Sequence, residues 1–163
     1  MRHVMVAILL VSTLASGAAA QGSDPAGAMR TYDVGAVRWG PGPATMPTGT
    51  QLAVLEGDPT KAGMFTIRIK FPAGMHIAPH FHTQVEHATV VAGTLHIGMG
   101  VRFDSAATTP LRAGSFGFWP AGMRHFAWME GETVLQLHGQ GPWTVTYVNA
   151  ADDPRRSAPG AIR

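Results

Sequence analysis

The chain has 163 residues, of which 45% are hydrophobic and 13% charged; its net charge is +2 and it has no cysteine. This balance excludes a disordered chain and a disulfide framework. The arginines are scattered, with only Arg155 and Arg156 adjacent, so no basic patch forms and nucleic acid is excluded as a partner. The length is that of one domain.

In chain order, the first segment is MRHVMVAILLVSTLASGAAA. A basic start, a short apolar run and Ala18-Ala19-Ala20 form the pattern of a secretory signal peptide over residues 1–20. The run is short for a transmembrane anchor. The expectation is export to the periplasm or beyond, with cleavage after Ala20 and no membrane attachment afterwards. No arginine pair precedes the run, so export in the unfolded state is expected. Residues 21–30 are polar and small, a flexible N-terminal arm.

Residues 31–150 read as one all-β domain. MFTIRIKF alternates cleanly: Phe65, Ile67, Ile69 and Phe71 share one face, Thr66, Arg68 and Lys70 the other. Further strands are expected at QLAVLE, VEHATVVA, TLHIGM, GSFGFW, HFAWM, TVLQLHG and WTVTYV, separated by Gly- and Pro-rich turns. Residues 40–49 are a Pro/Gly-rich connector, and a short helix or coil is expected from Asp104 to Thr109. Short strands at this spacing imply a sandwich or barrel. Residues 151–163 are expected to be a mobile tail.

The donor-rich stretch is HFHTQVEHATVVAG, from His80 to Gly93. It is either a metal site or a set of core and surface histidines that are merely neighbours. His80 and His82 lie two apart, which places them on one face of a strand. Glu86 is the only acidic residue between Asp58 and Asp104. A lone carboxylate among apolar strands is costly to bury, and a divalent cation would offset that cost. Farther on, Pro120-Ala121-Gly122 turns the chain and His125 opens a strand with Ala127 and Met129 as inward neighbours.

The remaining histidines divide by parity. His87 follows Glu86 directly and should face the other way. His76 shares the parity of His80 and could line the cavity floor or pair with a neighbour. His96 alternates against Leu95, Ile97 and Met99 and should face out. Gln136 and His138 share a face with Val134 and are candidates to line the cavity. Phe116, Phe118, Trp119, Phe126 and Trp128 suit core or dimer-interface packing, with an aromatic cavity wall as the alternative. Other chemistries have no support: there is no cysteine nucleophile, no nucleophile elbow and no phosphate-binding glycine loop.

Gly74, His80, His82, Glu86 and Gly93 match the first motif of the cupin superfamily at every fixed position. Gly114, Pro120, Gly122 and His125 match the second, except that Met129 stands where Asn is usual. The resemblance covers about residues 60–140, and the chain is similar to small single-domain exported bacterial cupins. It implies an antiparallel jelly-roll β-barrel and one divalent transition metal held by His80, His82, Glu86 and His125. Zn, Cu or Ni is expected on purified protein, because the metal is met outside the cytoplasm; Fe or Mn could be the functional ion. Three imidazoles and a carboxylate leave coordination positions open for chemistry. The expected activity is a dioxygenase-like oxidation of a small organic molecule, with Glu86 as ligand or base. The alternatives are a non-redox lyase or isomerase, and a metal- or ligand-binding protein without turnover. Pairing through residues 31–56 into a homodimer is also expected.

Overall fold

Alternation decides the framework. In the computed structural model, which describes residues 29–156, Phe65, Ile67, Ile69 and Phe71 are all nearly inaccessible to solvent while the residues between them face out. Each such burial contributes about 1.5–3 kcal/mol, which makes the register of this strand the strongest local constraint. The expected signal peptide, the arm up to residue 28 and the tail from residue 157 lie outside the described residues.

Eleven strands follow one another: β1 (Gly40–Pro41), β2 (Gln51–Glu56), β3 (Gly63–Phe71), β4 (His76–His82), β5 (Glu86–Ala92), β6 (Thr94–Met99), β7 (Thr109–Arg112), β8 (Phe116–Trp119), β9 (His125–Met129), β10 (Thr133–Gly141) and β11 (Val145–Tyr147). They form two antiparallel sheets, β1-β2-β3-β10-β5-β8 and β11-β4-β9-β6-β7. The chain crosses repeatedly between sheets, the arrangement of a jelly roll. The core lies between the inner faces, where Phe65, Ile69, Phe71, Val90, Met129, Leu135 and Leu137 meet. Among the described residues no helix is long and apolar enough to cross a membrane.

The motif glycines hold turns. Gly93, between β5 and β6, has φ of 77°, and a Cβ there would fall on the Glu132 carbonyl. Only glycine fits both demands. Met129, at the position where the motif departs, is fully buried, and its carbonyl accepts from Gly74 N–H at 2.8 Å. The departure fills core and leaves the turn intact.

Three segments gain detail beyond the sequence reading. Residues 109–112 form a strand, β7, at a sheet edge, where Pro110 removes no ladder bond that the sheet needs. The stretch before it is a short 3-10 turn, Ser105–Ala107, capped by Asp104. Beyond residue 150 the chain still makes turns, Ala150–Asp152 and Pro154–Arg156, and Arg155 pairs with Asp153 at 2.6 Å.

Candidate metal centre

β4 and β9 run antiparallel with His80 directly opposite His125. Their rings lie 4.3 Å apart between centroids, and His82, two residues along β4, lies 5.0 Å from one and 5.2 Å from the other. The ligand atoms of all three fall within 4.8 Å of one another. Glu86 opens β5 in the opposite sheet and closes the group from there. Its Oε2 stands 3.0 Å from His82 Nε2 and 3.3 Å from His125 Nε2. All four residues are buried.

The ring nitrogens are sorted by backbone carbonyls. His80 Nδ1 meets Ala78 O at 2.8 Å, His125 Nδ1 meets Met123 O at 3.0 Å, and His82 Nδ1 meets Thr144 O at 2.9 Å. A carbonyl only accepts, so the proton is assigned to Nδ1 and each Nε2 keeps its lone pair. His82 Nε2 is buried with no hydrogen-bond partner, although the carboxylate oxygen of Glu86 is 3.0 Å away. A lone pair facing a carboxylate is stable only with a cation or a proton between them. The donor set, imidazole nitrogen plus carboxylate oxygen, fits a divalent transition metal.

Titration follows the same logic. Burial, then the neighbouring His125 and His82, push His80 down to about 3, so its imidazole is neutral and free to coordinate at ordinary pH. Burial works against ionisation of Glu86, but the His125 and His82 rings that face it outweigh burial and hold the carboxyl below its usual range.

Beside the ligands lies a cavity of about 30 Å³, room for roughly two waters. His80, Glu86 and His125 are its polar wall; Met46, Ile69, Phe71 and Trp119 are among the apolar lining. Met46 comes from the Pro/Gly-rich connector, which Tyr147 pins by donating its hydroxyl to Thr45 O at 2.8 Å. Neither Met46 nor Tyr147 was legible in the motifs. The same is true of Trp143, whose indole stacks on His82 at 4.2 Å.

The other sequence candidates fall elsewhere. Gln136 and His138 are on the outer face of β10, because Leu135 and Leu137 take the inner one. Two leucines gain more from burial than Gln and His lose by exposure, and that sets the register. Gln136 accepts from Arg68 Nε at 3.1 Å, and His138 stacks on His87 at 5.0 Å. His76 is exposed and stacked on Phe103 at 4.7 Å. A bulge between Ile77 and His80 sets three residues of β4 against two of β9, so parity inverts between His76 and His80. His87 and His96 lie on outer faces, as their parity implies. Trp119 and Phe126 are buried, whereas Phe116 and Phe118 are more than half exposed on β8. Glu130 is exposed and contacts His96 on the outside.

A two-sheet jelly roll with a three-histidine cluster between its sheets defines a cupin-type protein. The chain belongs to the ChrR cupin-like domain family, whose model matches residues 28–144. No functionally curated protein matches the sequence. Solved structures share the fold. An acetylacetone dioxygenase from Acinetobacter johnsonii superposes with a TM-score of 0.58 at 18% identity, over 82% of this chain and 86% of that one. A candidate acetylacetone dioxygenase from Methylibium petroleiphilum PM1 also reaches 0.58, at 22% identity over 78% and 85%. KdgF from Halomonas sp. reaches 0.53 at 17% identity over 70% and 96%. At these identities the likeness concerns the fold.

Proposed function

We propose that this chain is a metal-binding cupin that oxidises a small organic molecule in a dioxygenase-like reaction. The observation that carries the reading is the set of three buried histidines, each held by a carbonyl at Nδ1, with Nε2 of His82 and His125 facing the Glu86 carboxylate. His80, His82 and His125 would hold the ion, with Glu86 as fourth ligand. A bound transition metal supplies Lewis acidity and, if redox-active, electrons for a reaction with O₂.

The chain's own part is clear in outline. Neutral His80 coordinates without first losing a proton. Glu86, ionised and facing the cavity, can accept a proton at a carboxylate oxygen. Ile69, Phe71, Ile77 and Leu137 keep the cavity apolar, so water competes poorly with an organic molecule there. Acetylacetone and related β-diketones are sensible first substrates, given two of the structural neighbours, alongside phenols and flavonols.

A second reading is a metal-binding module without turnover. The size of the cavity favours it: about 30 Å³ admits water or O₂ but no diketone unless the Met46 connector moves. Oxygen uptake by the Zn-, Cu-, Ni-, Fe- and Mn-loaded forms, with each of those substrates, separates the two. Uptake that disappears in Glu86→Ala and His80→Ala supports the oxidase; metal bound at one per chain with no uptake in any form supports the module. Protein taken from its native compartment without any transition metal would remove both. Export through residues 1–20 and a homodimer through residues 31–56 complete the proposal. N-terminal sequencing of the exported form tests the first, and a monomeric mass in light scattering would rule out the second.

A further inference from the structure

We infer that residues 142–144, which lead from β10 into β11, are a positioning device for His82, with Trp143 as the part that fixes its ring plane. The inference rests on the metal site proposed above. Trp143 lies over the His82 imidazole with centroids 4.2 Å apart and planes 15° from parallel. The next residue supplies the Thr144 carbonyl to His82 Nδ1 at 2.9 Å. Thr83, directly after His82, donates its hydroxyl to Pro142 O at 3.2 Å and accepts from the Thr144 hydroxyl at 3.3 Å. Trp143 is itself anchored: its backbone N–H donates to Pro59 O at 2.8 Å, and Phe65 packs against its ring at 5.9 Å.

The contrast with the other two ligands gives this weight. His80 and His125 bond to carbonyls two residues back in the chain, so β4 and the turn leading into β9 orient them locally. His82 takes its carbonyl from sixty-two residues farther along the chain. Its ring torsion is broad in isolation, and without the 142–144 segment nothing in its own strand sets which nitrogen faces Glu86. A flat aromatic partner restricts the ring to one plane, and the carbonyl then selects the tautomer. Once a cation sits at Nε2 the imidazole is electron-poor, and an indole face is the side-chain surface that favours it most. The Trp143 Nε1 is buried without a partner. Replacing indole by phenyl therefore removes a costly unsatisfied donor while keeping a flat face, which makes Trp143→Phe the conservative variant.

The experiment uses the full chain with Trp143→Ala, Trp143→Phe and, as an outer-face control, Trp128→Phe. In metal-free protein, ¹⁵N NMR of His82 should report a single Nδ1–H tautomer in wild type, a mixture in Trp143→Ala and recovery in Trp143→Phe. With Cu²⁺ as probe, chelator competition should show affinity lowered about tenfold or more in Trp143→Ala, with altered Cu²⁺ EPR parameters. Trp143→Phe and Trp128→Phe should stay within about threefold of wild type, on the scale of supporting-residue effects. Cu²⁺ should also quench a larger share of tryptophan fluorescence in wild type than in Trp143→Phe. A folded Trp143→Ala with wild-type tautomer, affinity and EPR spectrum overturns the inference. If Trp143→Ala does not fold, equal quenching in wild type and Trp143→Phe overturns it instead. If wild type binds no Cu²⁺, the metal site has failed, and the metal-free tautomer measurement still decides the positioning role.

Discussion

Seven histidines among the described residues fall into two groups that the chain interleaves. Three face inward, His80, His82 and His125, buried and with Nδ1 engaged by a carbonyl. Four lie on outer surfaces and use their ring faces instead. His76 stacks on Phe103, His87 and His138 on each other, and His96 on Trp128 at 3.9 Å. Stacking uses the π-face and by itself engages no nitrogen; the one outer nitrogen contact described, His96 Nε2 to Glu130, is open to solvent, whereas a buried carbonyl at Nδ1 commits both nitrogens at once. The difference between a ligand and an ordinary histidine therefore lies in what holds the second nitrogen.

The largest effect should come from breaking the inner group. His125→Ala removes a first-contact donor and leaves Glu86 with one imidazole beside it. Transition-metal affinity should fall by more than about 100-fold, beyond the usual cost of losing a supporting residue. His87→Ala and His138→Ala should leave metal stoichiometry and affinity unchanged. Chelator competition on all three variants checks this; equal losses would erase the distinction between the groups. Glu86→Gln comes next. It keeps size and shape but removes the charge, and affinity should fall about 10-fold.

The groups should also separate by pH. His80 is pushed down to about 3 in the folded protein, while in the unfolded chain it titrates near 6.5. Between those values the unfolded chain holds a proton that the folded one does not, so folding stability falls as pH drops from about 6.5 toward 3. Glu86, with its folded value lowered, adds a loss in the same direction below about 4.5. The slope for one group is at most about 1.4 kcal/mol per pH unit. Urea unfolding of chelator-treated protein at pH 7 and pH 5 should show the decline, and His80→Leu should flatten it. An equally steep decline in His80→Leu would show that His80 is not its source.

Much of this is legible in the sequence. The alternation of β3 and the spacing of the two motifs fixed which face carried His80 and His82, since period-two geometry and tight glycine turns are local properties. The failures were non-local. The bulge in β4 is a mismatch between two strands, so no count along one strand could place His76 on the outside. For β10, both parities carry residues able to face inward, and Leu135 and Leu137 settle the matter only when summed against β3 and β5. Trp143 and Tyr147 meet the site through contacts spanning more than sixty residues, for which sequence spacing holds no signal.

The smallest predicted effect marks the lower boundary of the outer group. His96 stacks on Trp128 and its Nε2 meets Glu130 Oε2 at 3.2 Å, with the Glu130 side chain 65% exposed. The ring contact is shielded on one side by β9; the ionic contact is open to solvent and salt. His96→Ala should therefore cost about 0.5–1.5 kcal/mol, mostly through the lost stack. Glu130→Ala should cost less than about 1 kcal/mol, as exposed pairs do. The double mutant should then match His96→Ala closely, with a coupling of about 0.5 kcal/mol or less that shrinks in high salt. A coupling of several kcal/mol, insensitive to salt, would mean that an outer histidine can be held as firmly as the inner three. The way a ring nitrogen is held would then no longer distinguish a ligand.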